Sequence, residues 1–494
     1  MEKNRKLGLG VLGLLLLGTF GAHAAYARHG ADEAAWAGPP RPMLPALQHG
    51  KPFALPAAKA ASGSVSVKAD VDRSAVLQRG DGILHVQVTL DTHGLGVAAR
   101  VPTDFVVVFD RSGSMSGEKI EYGKQALRQL IGRLDDNDRF ALVAYDSQVE
   151  VRVPLLGVAS NRRSAWLAEV DRLATAGGTN ISAGLDSGLE QLARGRESSR
   201  ASRVLLLSDG LANEGATSVP ELLLRAQSIV RRDSVLTTVG IGADFDERVM
   251  TSLAKGGAGA FYYLAKLETL SSLLDAELKT ASQTYARGAE LSIQLPPSVR
   301  LLSASGGTSV QSGDQVVVPV GSLYGEQTRS LWLTLKVPTE RPEDTELGSI
   351  SLRYRRDDQL FEARANALPK IACITDEREF QRRIVGSVWE HAMLDEELGK
   401  GQEALGDAIR SGNPLDVDNA VASANRELKL AQDLGNQRVA RSMQAMAASA
   451  PAAKAAQAAA PSARSIAAKK ATADGFGARN QGAYNNDFKY SSSY

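Results

Sequence analysis

Apolar strands and amphipathic helices alternate along residues 101–283, and this alternation restricts the possible folds more than any other feature of the sequence. The predicted strands are near-continuous apolar runs, which is typical of parallel strands covered by helices on both faces. They lie at 104–109, 139–145, 203–207, 235–241 and 261–264. The helical patterns lie at 118–134, 162–175, 182–194, 218–232, 246–254 and 267–283. The alternation predicts an α/β fold with an open, doubly wound, mostly parallel sheet.

Shorter patterns on both sides of this segment predict additional β-strands. In residues 63–100, Leu84, Val86 and Val88 alternate with polar neighbours, and residues 286–370 repeat this pattern between turn-rich stretches. The strands before the α/β segment are too few to bury a face alone. Joined to those after it, they approach the roughly seven strands of a β-sandwich. We therefore expect one β-sandwich with the α/β domain inserted into it, and two separate small β units are the alternative.

The N-terminus has the pattern of an export signal. Three basic side chains within the first six residues precede an apolar run over 7–21, and small-residue sites follow that run. This predicts a signal peptide over 1–27 and a periplasmic or secreted protein without a transmembrane segment after cleavage; an N-terminal membrane anchor is the alternative. Residues 28–62 are rich in Ala, Pro and Gly and are predicted to be a flexible linker. Cys373 is the single cysteine, so the chain cannot form an internal disulfide.

Helical patterns return after the second β region. Residues 375–435 are predicted to be helical, with Asp376 as the cap of a first helix and Asn413 as the cap of a later one. Residues 436–494 combine an Ala-rich basic part with an end rich in Gly, Asn and Ser. This composition predicts a disordered low-complexity tail, whose basic part would allow association with an anionic envelope surface.

Oxygen-bearing side chains are placed where a ligand would bind in such an α/β domain. Asp110, Ser112 and Ser114 follow the first predicted strand, Asp209 follows a later one, and Thr179 lies in a Gly-rich loop before a helix. Ligands bind at the carboxyl ends of the strands in open α/β sheets, so we expect these five side chains to converge at one edge. Their ligand atoms are all oxygen, which suits Mg²⁺, or alternatively Mn²⁺ or Ca²⁺.

A cation bound there would keep positive character, because only two of the five side chains are carboxylates. The Asp or Glu of a protein partner could complete the metal shell, so the site would be a protein-binding device. Gly113, Asn213 and Tyr145 are the expected rim residues facing that partner. The formal net charge of +1 gives no support to nucleic-acid binding.

The pattern D-x-S-x-S, a later Thr in a Gly-rich loop and a strand-ending S-D-G together resemble the metal-ion-dependent adhesion site of von Willebrand factor type A (vWA) domains. The resemblance covers residues 101–283, and the phrase "VGSLYGEQTRSLWLTLKVP" resembles the β region of exported bacterial vWA proteins. It implies a six-stranded, mostly parallel sheet and divalent-cation-dependent protein binding rather than a reaction. The positions that match the family's metal site are Asp110, Ser112, Ser114, Thr179 and Asp209.

Two other functions are compatible with the sequence. An Mg²⁺-dependent phosphohydrolase would use Asp110 as its nucleophile, but such enzymes usually need a second carboxylate two residues later, where this chain has Ser112. All six histidines lie outside 101–283, and a lone Cys373 is more typical of a buried core position. The other alternative is a structural cell-envelope protein in which the tail matters more than the metal site. We expect a binding protein rather than an enzyme.

Overall fold

A computed structural model describes residues 65–93, 100–195, 197, 199–242 and 244–480. The predicted signal peptide (1–27) and linker (28–62) lie outside the described residues. Within the described ranges, none of the helices combines the length and the apolar character needed to cross a bilayer. The described part comprises antiparallel β-sheets, an α/β domain and C-terminal helices.

The strands and helices are numbered in chain order. The strands are β1 (Ser66–Val71), β2 (Ala75–Leu77), β3 (Ile83–Asp91), β4 (Thr103–Asp110), β5 (Arg139–Tyr145), β6 (Val149–Gly157), β7 (Ala201–Ser208), β8 (Ser234–Ile241), β9 (Ala258–Leu264), β10 (Thr284–Gln294), β11 (Arg300–Ala304), β12 (Val310–Ser312), β13 (Gln315–Tyr324), β14 (Thr328–Lys336), β15 (Ser349–Arg356), β16 (Gln359–Arg364) and β17 (Ala372–Ile374). The α-helices are α1 (Glu118–Arg133), α2 (Ser160–Asp171), α3 (Ile181–Arg194), α4 (Val219–Val230), α5 (Glu247–Gly256), α6 (Leu270–Ser282), α7 (Glu377–Arg382), α8 (Gly386–His391), α9 (Leu398–Ser411), α10 (Pro414–Asp433), α11 (Gln437–Ala448), α12 (Ala450–Gln457) and α13 (Pro461–Arg479).

The α/β domain contains a six-stranded sheet in the order β6-β5-β4-β7-β8-β9. Strand β6 runs antiparallel to β5, whereas the other neighbouring strands are parallel. The doubly wound, mostly parallel sheet predicted from the sequence is confirmed. The apolar runs alone indicated only five of its strands, and the edge strand β6 was missed.

Both faces of this sheet are buried, because successive residues of a strand point to opposite faces. On β4, Phe105 and Phe109 pack in the cluster that includes residues of α1, α2 and α6. Val106 and Val108 pack on the other face with residues of α3, α4 and α5. The near-continuous apolar sequence of β4 therefore follows from its central position between two helical layers.

A β-sandwich core is built from strands on both sides of the α/β domain. One antiparallel sheet has the order β1-β3-β14-β11 and the other has the order β12-β13-β10-β15-β16. Strands β3 and β14 are neighbours, with Val88 opposite Leu331 and Val86 opposite Leu333. The buried side chains of the two sheets form one shared core. The α/β domain lies in the chain between β3 and β10, as an insertion in this sandwich.

The C-terminal helices cover the outer side of one sandwich sheet. Trp332 of β14 is buried in a cluster with Trp389 and Met443 from these helices. Helix α13 also contacts the α/β domain, where the ring of Phe476 meets that of Phe261 at a centroid distance of 6.0 Å. The predicted caps are confirmed, since Asp376 accepts from the first turn of α7 and Asn413 from that of α10.

The prediction of disorder over 436–494 is wrong for the described part of this segment, which contains α11, α12 and α13. Alanine is the strongest helix former, so the Ala-rich composition favours helix once the helices find partners. Small residues allow close contact, since a Cβ at Gly475 of α13 would come 2.5 Å from the carbonyl oxygen of Gly399 on α9. Residues 481–494 lie outside the described ranges.

Candidate metal centre

The five oxygen-bearing side chains selected from the sequence lie at one edge of the α/β sheet. Asp110 is the last residue of β4, and Asp209 directly follows β7, which is the parallel neighbour of β4. Ser112 and Ser114 lie in the turn that joins β4 to α1. Thr179 lies two residues before the start of α3. The carboxyl ends of adjacent parallel strands thus place residues that are distant in sequence at the same edge.

A chain of hydrogen bonds joins four of these residues. The backbone N–H of Ser112 donates to Asp110 Oδ1 at 2.8 Å. The hydroxyl oxygens of Ser112 and Ser114 lie 3.0 Å apart, and the Ser114 hydroxyl donates to Asp209 Oδ1 at 2.8 Å. The two carboxylates are therefore connected through Ser112, by its backbone N–H and its hydroxyl, and through the hydroxyl of Ser114.

Thr179 is held beside this chain by the loop that follows β7. The N–H of Thr179 donates to Asn213 Oδ1 at 2.8 Å, and the N–H of Asn213 donates to the Thr179 carbonyl at 3.1 Å. A Cβ added at Gly210 would lie 3.0 Å from Thr179 Oγ1 and 3.3 Å from Ser114 Oγ. Both hydroxyl groups thus approach the backbone of Gly210, and a larger residue there would crowd them.

Asp110 is fully buried, and its described hydrogen-bond donors are uncharged. Ser208 Oγ donates to Asp110 Oδ2 at 2.6 Å, and the Tyr145 hydroxyl lies 3.4 Å from the same oxygen. Burial raises the pKa of Asp110 to about 6, although hydrogen bonds from Ser208 and Ser112 oppose this rise. A nearby cation would favour the ionised carboxylate and offset the cost of its burial.

The structure places the three expected rim residues differently. Gly113 and Asn213 are exposed, whereas Tyr145 is fully buried beneath the site and cannot contact a partner, so its assignment to the rim is wrong. Tyr145 is the last residue of β5 and packs on the same side as Ala141 and Val143, as the alternation of a strand requires.

Two residues that the sequence analysis did not select contact the carboxylates. Ser208, the last residue of β7, donates to Asp110. Lys119, in the first turn of α1, places its ammonium against Asp209 Oδ2 and 3.3 Å from the carbonyl oxygen of Ser114. Their only signal in the sequence is proximity to the motifs, since Ser208 directly precedes Asp209 and Lys119 lies five residues after Ser114.

The arrangement fits a hard divalent cation. Two carboxylates and three hydroxyl groups lie together, and oxygen atoms are the ligands that Mg²⁺ and Ca²⁺ prefer. The Lys119 ammonium beside Asp209 shows that this edge accommodates positive charge. Within the described ranges, no cluster of three or more His, Cys, Asp or Glu side chains is arranged to hold a metal ion. A metal site at this edge would therefore depend on its serine and threonine hydroxyls.

Comparisons with known proteins identify the family of the α/β domain. The family model of the von Willebrand factor type A domain matches residues 104–276. An uncharacterized protein of Synechocystis is 29% identical over 268 residues, which are 52% of this chain and 62% of that protein. Inter-alpha-trypsin inhibitor heavy chain H1 of Mesocricetus auratus is 31% identical over 162 residues, which are 32% of this chain and 18% of that protein. The matches thus span less than two thirds of these curated relatives.

A solved structure, von Willebrand factor type A from Catenulispora acidiphila, has the same fold. It superposes with a TM-score of 0.60 at 20% identity and covers 78% of this chain and 91% of that chain. The likeness of fold therefore extends beyond residues 104–276. Residues 104–276 are a vWA domain, and the relatives of this chain include vWA-containing proteins. Domains of this family typically mediate protein–protein interactions.

Proposed function

We propose that this vWA domain binds a divalent cation through Asp110, Ser112, Ser114, Thr179 and Asp209. The convergence of these five side chains from three separate loops is the observation that carries the proposal. Mg²⁺ is the expected ion because it needs about six oxygen ligands and usually keeps several waters. Mn²⁺ and Ca²⁺ are compatible with the same donors.

The ion's proposed function is to link the domain to a protein partner that presents an Asp or Glu. The two protein carboxylates balance the formal charge of a divalent ion, but the other three ligands are neutral hydroxyls. The bound ion can therefore still attract a carboxylate of the partner. The site is accessible from one side, because Ser114, Gly113 and Asn213 are all exposed. Two of these, Gly113 and Asn213, are the rim residues that would contact the partner.

The proposed location of this interaction is outside the cytoplasm. The support is the N-terminal sequence, in which basic residues, an apolar run over 7–21 and small-residue sites follow one another. A periplasmic or secreted vWA protein would meet partners of the cell envelope. The lack of an internal disulfide means that such a protein would depend on its packed cores for stability, and Cys373 is buried.

The metal-binding step is tested by titrating the chain with Mn²⁺ in a calorimeter. We expect Asp110→Ala and the shape-conserving Asp110→Asn to weaken Mn²⁺ binding by more than about 100-fold, since even residues that only orient metal ligands contribute 10–100-fold. Asp136→Ala is the matched control, because the Asp136 side chain is 88% exposed and its ion pair is with Arg163, at 3.6 Å. Equal Mn²⁺ affinity in the Asp110 variants and the parent would refute the proposal.

The partner-binding step needs a separate measurement. The chain and Asp110→Asn are immobilised side by side and exposed to envelope extract with Mg²⁺, then with EDTA. The proposal expects one or more proteins to be retained by the parent in Mg²⁺, released by EDTA, and absent from the Asp110→Asn column. Identical retention on both columns, unaffected by EDTA, would show that binding does not use the cation.

A further inference from the structure

Lys119 brings a positive charge of the protein itself into the metal site. It lies in the first turn of α1, and its side chain is 22% exposed. Its ammonium contacts Asp209 Oδ2, while the Ser114 hydroxyl donates to the other carboxylate oxygen, Oδ1, at 2.8 Å. The ammonium also lies 3.3 Å from the carbonyl oxygen of Ser114. Both oxygens of Asp209 are thus engaged by groups of the chain.

A divalent ion at this edge and the Lys119 ammonium would use the same carboxylate. Two positive charges separated by one carboxyl group repel each other, and the fully buried position of Asp209 limits screening by water and salt. We propose that Lys119 is a tethered competitor of the metal ion, which lowers the affinity of the site and leaves Asp209 when the ion binds. This inference rests on the proposed metal function.

The surroundings of Lys119 offer its ammonium a second acceptor. Asp244 Oδ2, in the segment between β8 and α5, lies 3.9 Å from Lys119 Nζ, and the Asp244 side chain is 76% exposed. The lysine stem runs along Gly242, where an added Cβ would lie 3.4 Å from Lys119 Cε and 3.6 Å from Nζ. A small rotation of the side chain would therefore transfer the ammonium from Asp209 to Asp244 without moving helix α1.

Such an exchange has a consequence for the site. The ion would bind only where its attraction to the two carboxylates exceeds that of the ammonium already present. Binding would also move a positive charge towards Asp244, at the exposed side of the edge. Lys119 would then set the concentration of free metal at which the domain becomes able to accept a partner carboxylate.

The test measures Mn²⁺ affinity in the whole chain by the loss of the free-ion signal in electron paramagnetic resonance. Lys119→Met removes the charge and keeps the length of the stem. We expect it to bind Mn²⁺ at least about tenfold more tightly than the parent, since a like charge within a few ångströms shifts such equilibria by about one to three powers of ten. Lys119→Arg keeps the charge and is expected not to tighten binding.

Lys124→Met is the matched control, because Lys124 lies on the same helix as Lys119. Its ammonium donates to Glu121 Oε1 at 3.1 Å and not to Asp110 or Asp209. Thermal unfolding in EDTA verifies that each variant is folded, and Lys119→Gln replaces the methionine variant if that one does not fold. Tighter Mn²⁺ binding confined to the uncharged Lys119 variants would support the inference.

The remaining outcomes separate the two proposals. If the parent binds Mn²⁺ through Asp110 but Lys119→Met binds no more tightly, the competitor role is refuted and the metal site stands. If neither chain binds Mn²⁺, both are refuted. If only Lys119→Met binds, the ammonium replaces the ion altogether, which supports the competitor role and removes metal binding from the unaltered chain.

Discussion

Two buried carboxylates of the vWA domain, Asp110 and Glu247, differ in what surrounds them. Asp110 ends β4 and accepts hydrogen bonds from uncharged donors, and burial raises its pKa to about 6. Glu247 begins α5 and meets Lys469 Nζ at 2.8 Å and the Arg410 guanidinium, both from the C-terminal helices. Burial acts to raise the pKa of Glu247, but these two cations outweigh it and lower that pKa.

The difference separates a structural site from the proposed binding site. The charge of Glu247 is neutralised within the chain, so it connects the α/β domain to the helices and has no capacity for a ligand. The charge of Asp110 has no cationic partner among its described contacts, which costs stability unless a ligand supplies one. Buried groups with perturbed pKa values are typical of functional sites, which agrees with the proposed role of Asp110.

The largest effect is expected from breaking the structural pair. Lys469→Met leaves Glu247 beside Arg410 alone and removes the donor that bonds the Phe245 carbonyl at 2.7 Å. We expect the free energy of unfolding in urea to fall by about 3 kcal/mol, since removing one partner of a buried ion pair is strongly destabilising and Arg410 alone contacts only one oxygen of Glu247. Lys470→Met, at the exposed neighbouring position, is the control and should change it by less than about 0.5 kcal/mol. A change as small in the Lys469 variant would mean that Glu247 does not need this cation.

A second buried ion pair, around His85 in the β-sandwich, can be tested by changing the pH. His85 lies between Asp72 Oδ2 and Glu397 Oε1, each 3.1 Å from a ring nitrogen. Burial lowers the pKa of His85, but hydrogen bonds to these two carboxylates outweigh it and raise the pKa to about 9. The charged histidine therefore contributes its full stability below pH 6.5, the usual value for histidine, and that contribution is lost as the pH rises through 9.

The variant His85→Gln tests this expectation. The parent should be more stable than the variant by about 2–3 kcal/mol at pH 6, and the difference should decline by pH 9.5. Urea unfolding at a series of pH values measures it. His93→Gln, at a side chain that is 52% exposed, provides the control. A difference between parent and His85→Gln that stays constant over this range would exclude a charged His85.

The smallest effect is expected at the proposed metal ligand, Asp110, and it has the opposite sign. In EDTA, Asp110→Asn removes a buried charge and keeps the shape of the side chain, so the free energy of unfolding should rise by about 1 kcal/mol. Added Mn²⁺ should stabilise the parent and leave the variant unchanged, because only a chain that binds the ion gains from mass action. Thermal unfolding with and without Mn²⁺ measures both effects. Destabilisation of the variant in EDTA would mean that the Asp110 charge is satisfied within the chain.

The sequence predicted those parts of the fold in which a single local pattern determines the structure. Continuous apolar runs indicated the five buried parallel strands, and the rule for carboxyl ends of strands brought Asp110 and Asp209 to one edge. Strand β6 was missed because it lies at an edge, where Glu150 and Arg152 interrupt the apolar pattern. The position of β6 in the sheet depends on its antiparallel pairing with β5, and no local sequence pattern shows this pairing.

Other features depend on contacts between distant segments. Helices α11 to α13 gain their stability from packing on α9 and on the α/β domain. The sequence does not show this packing, so the Ala-rich composition by itself led to the prediction of a disordered tail. Lys119 contacts Asp209 only because α1 and β7 meet at the same edge, and sequence spacing does not give the direction of a side chain. Tyr145 could have been placed correctly, since the alternation with Ala141 and Val143 already implied an inward direction.

The pairing of β3 with β14 has a consequence for how the chain acquires its structure. Val88 cannot meet Leu331 until the ribosome, or a secretion channel, has released everything between them, which includes the whole vWA domain. The domain is compact and rich in contacts between neighbouring segments, so it can fold before β3 has its partner strand β14. An export route that delivers the chain unfolded would therefore leave an incomplete sheet edge for chaperones to shield until the last β-segments arrive.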